Sequence, residues 1–189
     1  MRDVNFVFCR LIWEKSGPPF PFHMPRTRWH DLYLCPEPGA PFGRKGRAVE
    51  GAWKQLAERG TNGLLLMDGD VVIDPLDFAG MLTAIAQAPE LVHVAPARLW
   101  PASTQQDSWT WAHWADGHGQ TQHWTDTPDR FSFNFTYLPR KLIVRAMQHK
   151  PPLNTWQFPN VDQRMSQVAK ECGIKAKVVP NCWPKHLHY

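Results

Sequence analysis

GLLLMDGDVVIDP (63–75) is the stretch from which the rest of the chain is read. An apolar run, Leu64 to Met67, ends in Asp68-Gly69-Asp70, and a second apolar run follows. A run apolar on both faces marks a buried strand, usually parallel, covered by helices. Two carboxylates one residue apart, just past such a strand, serve structure poorly, because like charges repel unless a cation or a proton neutralises them. Gly69 lets the backbone bend sharply enough to aim both at one place, and ligands of open α/β sheets gather at the carboxyl ends of strands. A hard divalent cation with oxygen ligands, Mg²⁺ or Mn²⁺, answers the charge. The plain alternative is a turn between two strands, since Asp-Gly is common turn chemistry.

Outward from this point the pattern alternates between strands and helices. Residues 75–88 open with Pro75 and carry Leu76, Ala79, Met81, Leu82 and Ile85 at helical spacing. LVHVAPARL (91–99) reads as one strand. Upstream, DVNFVFC (3–9) and DLYLC (31–35) read as strands, separated by a Pro-rich loop over 16–28. GRAVEGAWKQLAERG (46–60) predicts a helix with Val49, Trp53 and Leu56 on one face and Gly60 as its stop. Downstream, RFSFNFTYL (130–138) predicts a strand with Phe131, Phe133, Phe135 and Tyr137 on one face. PRKLIVRAMQ (139–148) and VDQRMSQVAKECG (161–173) predict helices, the latter with Val161, Met165, Val168 and Cys172 inward. IKAKVV (174–179) is a last strand before a short tail, NCWPKHLHY. Residues 100–126 read as a Trp-rich β-hairpin: Trp109, Trp111, Trp114 and Trp124 flank the turn chemistry of 115–119. Strand–helix alternation around a buried run indicates an α/β domain with a mostly parallel central sheet flanked by helices.

The bounds are consistent with that. At 189 residues the chain is one domain, 1–189, long enough for a real core. No apolar run approaches a membrane span. Residues 1–12 alternate and carry Arg2, Asp3 and Arg10, which does not make a signal-peptide core. Cys9, Cys35, Cys172 and Cys182 form no CxxC pair, so reduced thiols in a cytoplasmic protein are expected. The net charge of +4 conceals segregation: +4 over 1–60, −7 over 61–130 and +7 over 131–189. An acidic middle between basic flanks suits a cation held by carboxylates and an anionic ligand bridging to Arg and Lys. Only GRKGR (43–47) is densely basic, so the single basic stripe of a nucleic-acid binder is missing.

In order and spacing these motifs resemble the GT-A fold glycosyltransferases over roughly 43–189, and the compact length resembles small members encoded by bacterial viruses. LLLMDGDVVIDP is similar to that family's Asp-x-Asp segment, GRKGRAVEGAWKQL to its donor-binding helix, and FSFNFTYLPRKLI to its strand followed by an Arg-bearing helix. FPNVDQRMSQVAKECGIKAKVV resembles its Asp-containing helix and last strand, and KHLHY its terminal histidine. The resemblance implies a Rossmann-like domain with a donor-binding half over about 1–100 and an acceptor-side half over about 101–189. It implies transfer of a sugar from a UDP- or GDP-sugar to a protein, glycan or nucleic acid, with Mn²⁺ or Mg²⁺ on the diphosphate, in a host cytoplasm if the chain is viral. Asp70 would be a metal ligand, Asp68 would touch the metal or the ribose, and His186 or His188 would complete the shell. Arg44, Lys45 and Arg47 would pair with the diphosphate, and Asp31 or Glu37 would read the base. Asp162 would be the general base of an inverting transfer. Trp109, Trp111, Asn134 and Trp156 would bind substrate, indole faces suiting the C–H faces of sugars.

Two other readings account for parts of the pattern. A haloacid-dehalogenase-type phosphatase also has an apolar strand ending in Asp-x-Asp, with Asp68 as nucleophile and Mg²⁺. Here, however, 67 residues precede the motif, and 131–189 offers only Asp162 and Glu171 for the downstream acidic pair. A Trp-rich carbohydrate-binding module would explain the hairpin but predicts mainly β structure.

Overall fold

The computed structural model describes residues 6–11, 32–34, 45–56, 61–68, 71–95, 98–100, 127, 131–155 and 160–187. Within them the chain is a mixed α/β fold built on a six-stranded sheet of order β2-β1-β3-β7-β5-β8. These strands are β1 (Phe6–Leu11), β2 (Leu32–Leu34), β3 (Gly63–Asp68), β5 (Val92–Val94), β7 (Phe135–Pro139) and β8 (Ala176–Val178). A second sheet of order β4-β9-β6 joins β4 (Val71–Val72), β6 (Arg98–Trp100) and β9 (Lys185–Leu187). The helices are α1 (Lys45–Leu56), α2 (Pro75–Gln87), α3 (Arg140–Met147) and α4 (Asn160–Glu171). Among the described residues no helix is long and apolar enough to cross a membrane.

The large sheet is mixed: three of its five strand pairings are parallel and two are antiparallel. β1 runs parallel to β2 and β3, and β5 parallel to β8, while β7 lies antiparallel between β3 and β5. β3 is buried at every position, as its unbroken apolar run requires. Leu64 and Leu66 face a core formed with Val49, Ala52 and Trp53 of α1, Leu142 and Ile143 of α3, and Val161, Met165 and Val168 of α4. Leu65 and Met67 face the opposite core, with Phe78, Met81 and Ile85 of α2.

Three expectations are corrected here. LVHVAPARL is not one strand: β5 belongs to the large sheet and β6 to the small one, with Pro96, which cannot donate to a ladder, between them. The four aromatics of 131–137 do not share a face, since Phe131 and Phe133 lie in the first core and Phe135 and Tyr137 in the second. The alternation breaks because a turn precedes the strand, with the Thr136 hydroxyl donating to the Ser132 carbonyl at 2.6 Å. On α2, Leu76 is 77% exposed and Ala79 is exposed, and the inward face is Asp77, Phe78, Met81 and Ile85.

His93, in β5, is 1% exposed and stands opposite Tyr137 in the ladder. Its Nε2 donates to the Ala88 carbonyl at 2.7 Å, so the neutral ring carries its proton there, and Nδ1 is buried without a hydrogen bond. Burial chiefly, and the nearby Lys177, lower its pKa, against the smaller upward pull of that hydrogen bond and of Glu90. A histidine whose folded pKa is depressed contributes its full stability above the unfolded value of about 6.5 and loses it as pH falls below that. Wild type should therefore lose up to about 1 kcal/mol between pH 6.5 and 5.5 that His93→Gln does not lose. Urea midpoints of both proteins across that range check this; parallel profiles would contradict it.

Candidate functional site

Asp68 closes β3 and is 6% exposed. Its side chain falls on the same face as Leu64 and Leu66, by the alternation of the strand. The β3–β7 register, Met67 opposite Phe135, is carried one step further by the Asp68 N–H, which donates to the Asn134 carbonyl at 3.0 Å. The backbones of Asp68 and Asn134 thus stand together at the carboxyl end of β3. Asn134 is 5% exposed, and its Nδ2 is buried without a hydrogen-bond partner. The same holds for the hydroxyl of Ser132. Buried polar groups are nearly always paired, so two such donors in the turn before β7 ask for a polar ligand.

Asp162 joins them from α4. Its Oδ2 accepts the Phe133 N–H at 3.2 Å. One turn later the Ser166 hydroxyl accepts the Phe131 N–H at 3.0 Å and donates to the Asp162 carbonyl at 2.8 Å. The first two turns of α4 therefore hold residues 131–134 in place, and with them Asn134 beside Asp68. Asp162 also lies in the first turn of its helix, where the dipole favours a carboxylate.

The topology brings two further regions to this edge. α1 leads from the carboxyl end of β2 back to the start of β3, which puts its first turn, with Lys45 and the exposed Arg47, at the same end of the sheet as Asp68. The tail does not fray: β9 pairs antiparallel with β4, His186 opposite Val71, the residue that follows Asp70. β9 also runs parallel to β6, with His186 opposite Leu99. The side chains of Lys45 and His186, and all of Asp31, Glu37, Arg44, Asp70, Trp109, Trp111, Trp114, Trp124, Trp156 and His188, lie outside the described residues. So does the expected Trp-rich hairpin. Among the described residues no group of three or more His, Cys, Asp or Glu could hold a metal.

One device here was not read from the sequence. Asp74 caps α2, accepting the N–H groups of Leu76 and Asp77 at 2.8 Å each, and Asp77 Oδ2 returns to the Asp74 N–H at 3.2 Å. Asp77 Oδ1 accepts the Trp183 N–H at 2.5 Å, across 106 residues of sequence. The Asp-Pro-x-Asp spacing of 74–77 is the signal that foretells the cap, since an N-cap acceptor followed three residues on by an acidic side chain makes a capping box. The long-range half of the contact has no such local signature.

The chain is similar to A197 from STIV, with TM-score 0.52 and 13% identity over 96% of this chain and 81% of that one. It is also similar to a glycosyltransferase involved in the glycosylation of the major capsid of PBCV-1, with TM-score 0.43 and 12% identity over 97% of this chain and 81% of that one. No family model matches the chain, and no curated protein matches it. The first likeness shows the fold alone, a mixed α/β sheet flanked by helices. The second has too low a TM-score to carry weight.

Proposed function

We propose that the chain is a metal-dependent glycosyltransferase of GT-A type that moves a sugar from a nucleotide-diphosphate donor. The observation that carries this reading is a convergence. The carboxyl end of β3 is bonded to the turn before β7 through Asp68 and Asn134, the start of α4 holds that turn through Asp162 and Phe133, and the strand at 185–187 pairs with β4, which follows the Asp-x-Asp segment in the sequence. The donor set suits the implied cation. Asp68 offers carboxylate oxygen at the end of a rigid strand, which fits Mg²⁺ or Mn²⁺, and His186 or His188 would favour Mn²⁺. In this reading Asp68 and Asp70 hold the cation, with a histidine of the tail. Bound there, a divalent cation would act as a Lewis acid on the leaving diphosphate.

The chain's own residues supply the rest. Asn134 Nδ2 donates to an oxygen of the donor, which gives that buried amide the partner it lacks within the fold. Arg44, Lys45 and Arg47, at or just before the start of α1, meet the diphosphate. The Phe133 N–H orients the Asp162 carboxylate, and Asp162 takes the proton from the acceptor hydroxyl. Trp109, Trp111 and Trp156 contribute stacking faces for sugar rings, and Asp31 or Glu37 the contact to the base. The acceptor is a protein, glycan or nucleic acid.

Incubation with UDP- and GDP-sugars in Mn²⁺ tests the reading. Release of nucleoside diphosphate from one donor class, abolished by chelator, is expected. Release of inorganic phosphate from phosphoesters, with no donor cleaved, would replace it with the phosphatase.

A further inference from the structure

The C-terminal strand β9 lies between two short strands, paired with β6 over three residues and with β4 over two. β4 contributes only Val71 and Val72 to the pairing with β9. A two-residue antiparallel contact does not define register strongly, and a slip of one residue would turn each side chain of β9 to the other face. The ladder with β6 is only three residues long, so contacts of the turn that leads into β9 can decide where the strand starts.

The approach to β9 is anchored at several points. The Cys182 N–H donates to the Val179 carbonyl at 3.3 Å, and the Trp183 indole N–H to the Pro180 carbonyl at 2.9 Å, which closes the turn on itself. Two contacts then dock the turn on α2. Gly80 lets the helix approach the Asn181 carbonyl, which a Cβ at that position would meet at 3.2 Å. Asp77, 8% exposed, accepts the Trp183 N–H with one oxygen while the other is engaged on its own helix cap. β4 runs into α2 through Ile73 and Asp74, and Trp183 precedes β9 by two residues. Asp77 therefore ties the helix that follows β4 to the turn that precedes its partner strand.

We propose that Asp77 is a positioning residue: through the Trp183 N–H it sets the register of the C-terminal strand, and so the place of His186 opposite Val71. The part of this that concerns ligand binding rests on the donor-site reading above.

The test uses the full chain and three variants. Asp77→Ala removes both carboxylate contacts. Asp77→Asn keeps an oxygen for the Trp183 N–H and loses the acceptor for Asp74. Asp74→Ala uncaps α2 and leaves Asp77 in contact with Trp183, which makes it the control for general destabilisation. Hydrogen exchange of the amides of residues 185–187 should be roughly tenfold faster or more in Asp77→Ala, and near wild type in Asp77→Asn and Asp74→Ala. The rise in unfolding midpoint given by UDP or GDP with Mn²⁺ should vanish in Asp77→Ala and persist in the other two.

Unchanged exchange in Asp77→Ala would overturn the proposal, and so would equal acceleration in Asp74→Ala. Faster exchange with nucleotide binding intact would overturn its bearing on the site. A wild-type protein that responds to neither nucleotide would instead defeat the donor-site reading, and the exchange arm would still decide whether Asp77 registers the strand.

Discussion

Asp68→Asn should lower nucleoside-diphosphate release by roughly 10²–10³-fold or more in a protein that still folds. Asp68 is 6% exposed, and the amide has nearly the same shape, so the substitution opens no cavity at the end of β3. What is lost is the negative charge that holds the cation, and an amide oxygen is a poor replacement for a carboxylate. Asp70→Asn should lose activity likewise. Activity measured beside the unfolding midpoint decides it: a variant that keeps its turnover removes the metal argument, and one that unfolds makes Asp68 a structural residue.

Gly63→Ala should cost roughly 3 kcal/mol or more, a midpoint fall on the order of 6–12 °C. A Cβ at Gly63 would come 2.3 Å from the Leu138 carbonyl oxygen and 2.7 Å from the ring of Tyr137. Neither neighbour can yield easily. Leu138 is backbone of the paired strand β7. The Tyr137 hydroxyl sits 3.1 Å from the carbonyls of both Asn62 and Pro89, and donates to one or the other. Tyr137 is itself fully buried, so its ring has no room to move aside. Gly51→Ala is the matched control, because a Cβ there meets nothing within 4 Å and the position lies inside α1. It should be neutral or stabilise by up to about 1 kcal/mol, as alanine is the better helix former. Thermal unfolding of the two variants side by side checks both, and equal midpoints would contradict the packing argument.

The parts of the molecule legible in the sequence are those that local pattern controls. The apolar run of β3 and the helical spacing on α1 and α4 foretold buried elements, and Val49, Trp53, Val161, Met165 and Val168 are buried as expected. Asp68 stands at a strand's carboxyl end, as the run-then-acid pattern implied. What local pattern does not carry is pairing. Nothing in FSFNFTYLP gives the direction of its strand, which runs antiparallel to both neighbours. The KHL of the tail is too short to show periodicity, and it becomes a strand only because β4 and β6 lie on either side of it. The inward turn of α2 was misjudged for a related reason. Asp77 reads as a surface residue until its partner, Trp183, is brought to it by the fold. Asp162 and Asn134 are named by the family resemblance, but the bonds that tie Asp162 to Phe133 and Asn134 to Asp68 depend on the turn before β7.

Thermal unfolding with UDP and with GDP, each in Mn²⁺ and again with EDTA, tests the donor site most directly. Ligand at about 100 times its dissociation constant adds roughly 2.7 kcal/mol of stability. For a chain of this size that is a rise on the order of 5–10 °C. The account predicts such a rise with one nucleotide, in Mn²⁺, abolished by EDTA and absent in Asp68→Asn. No rise with either nucleotide, in Mn²⁺ that itself shifts the midpoint, would contradict it.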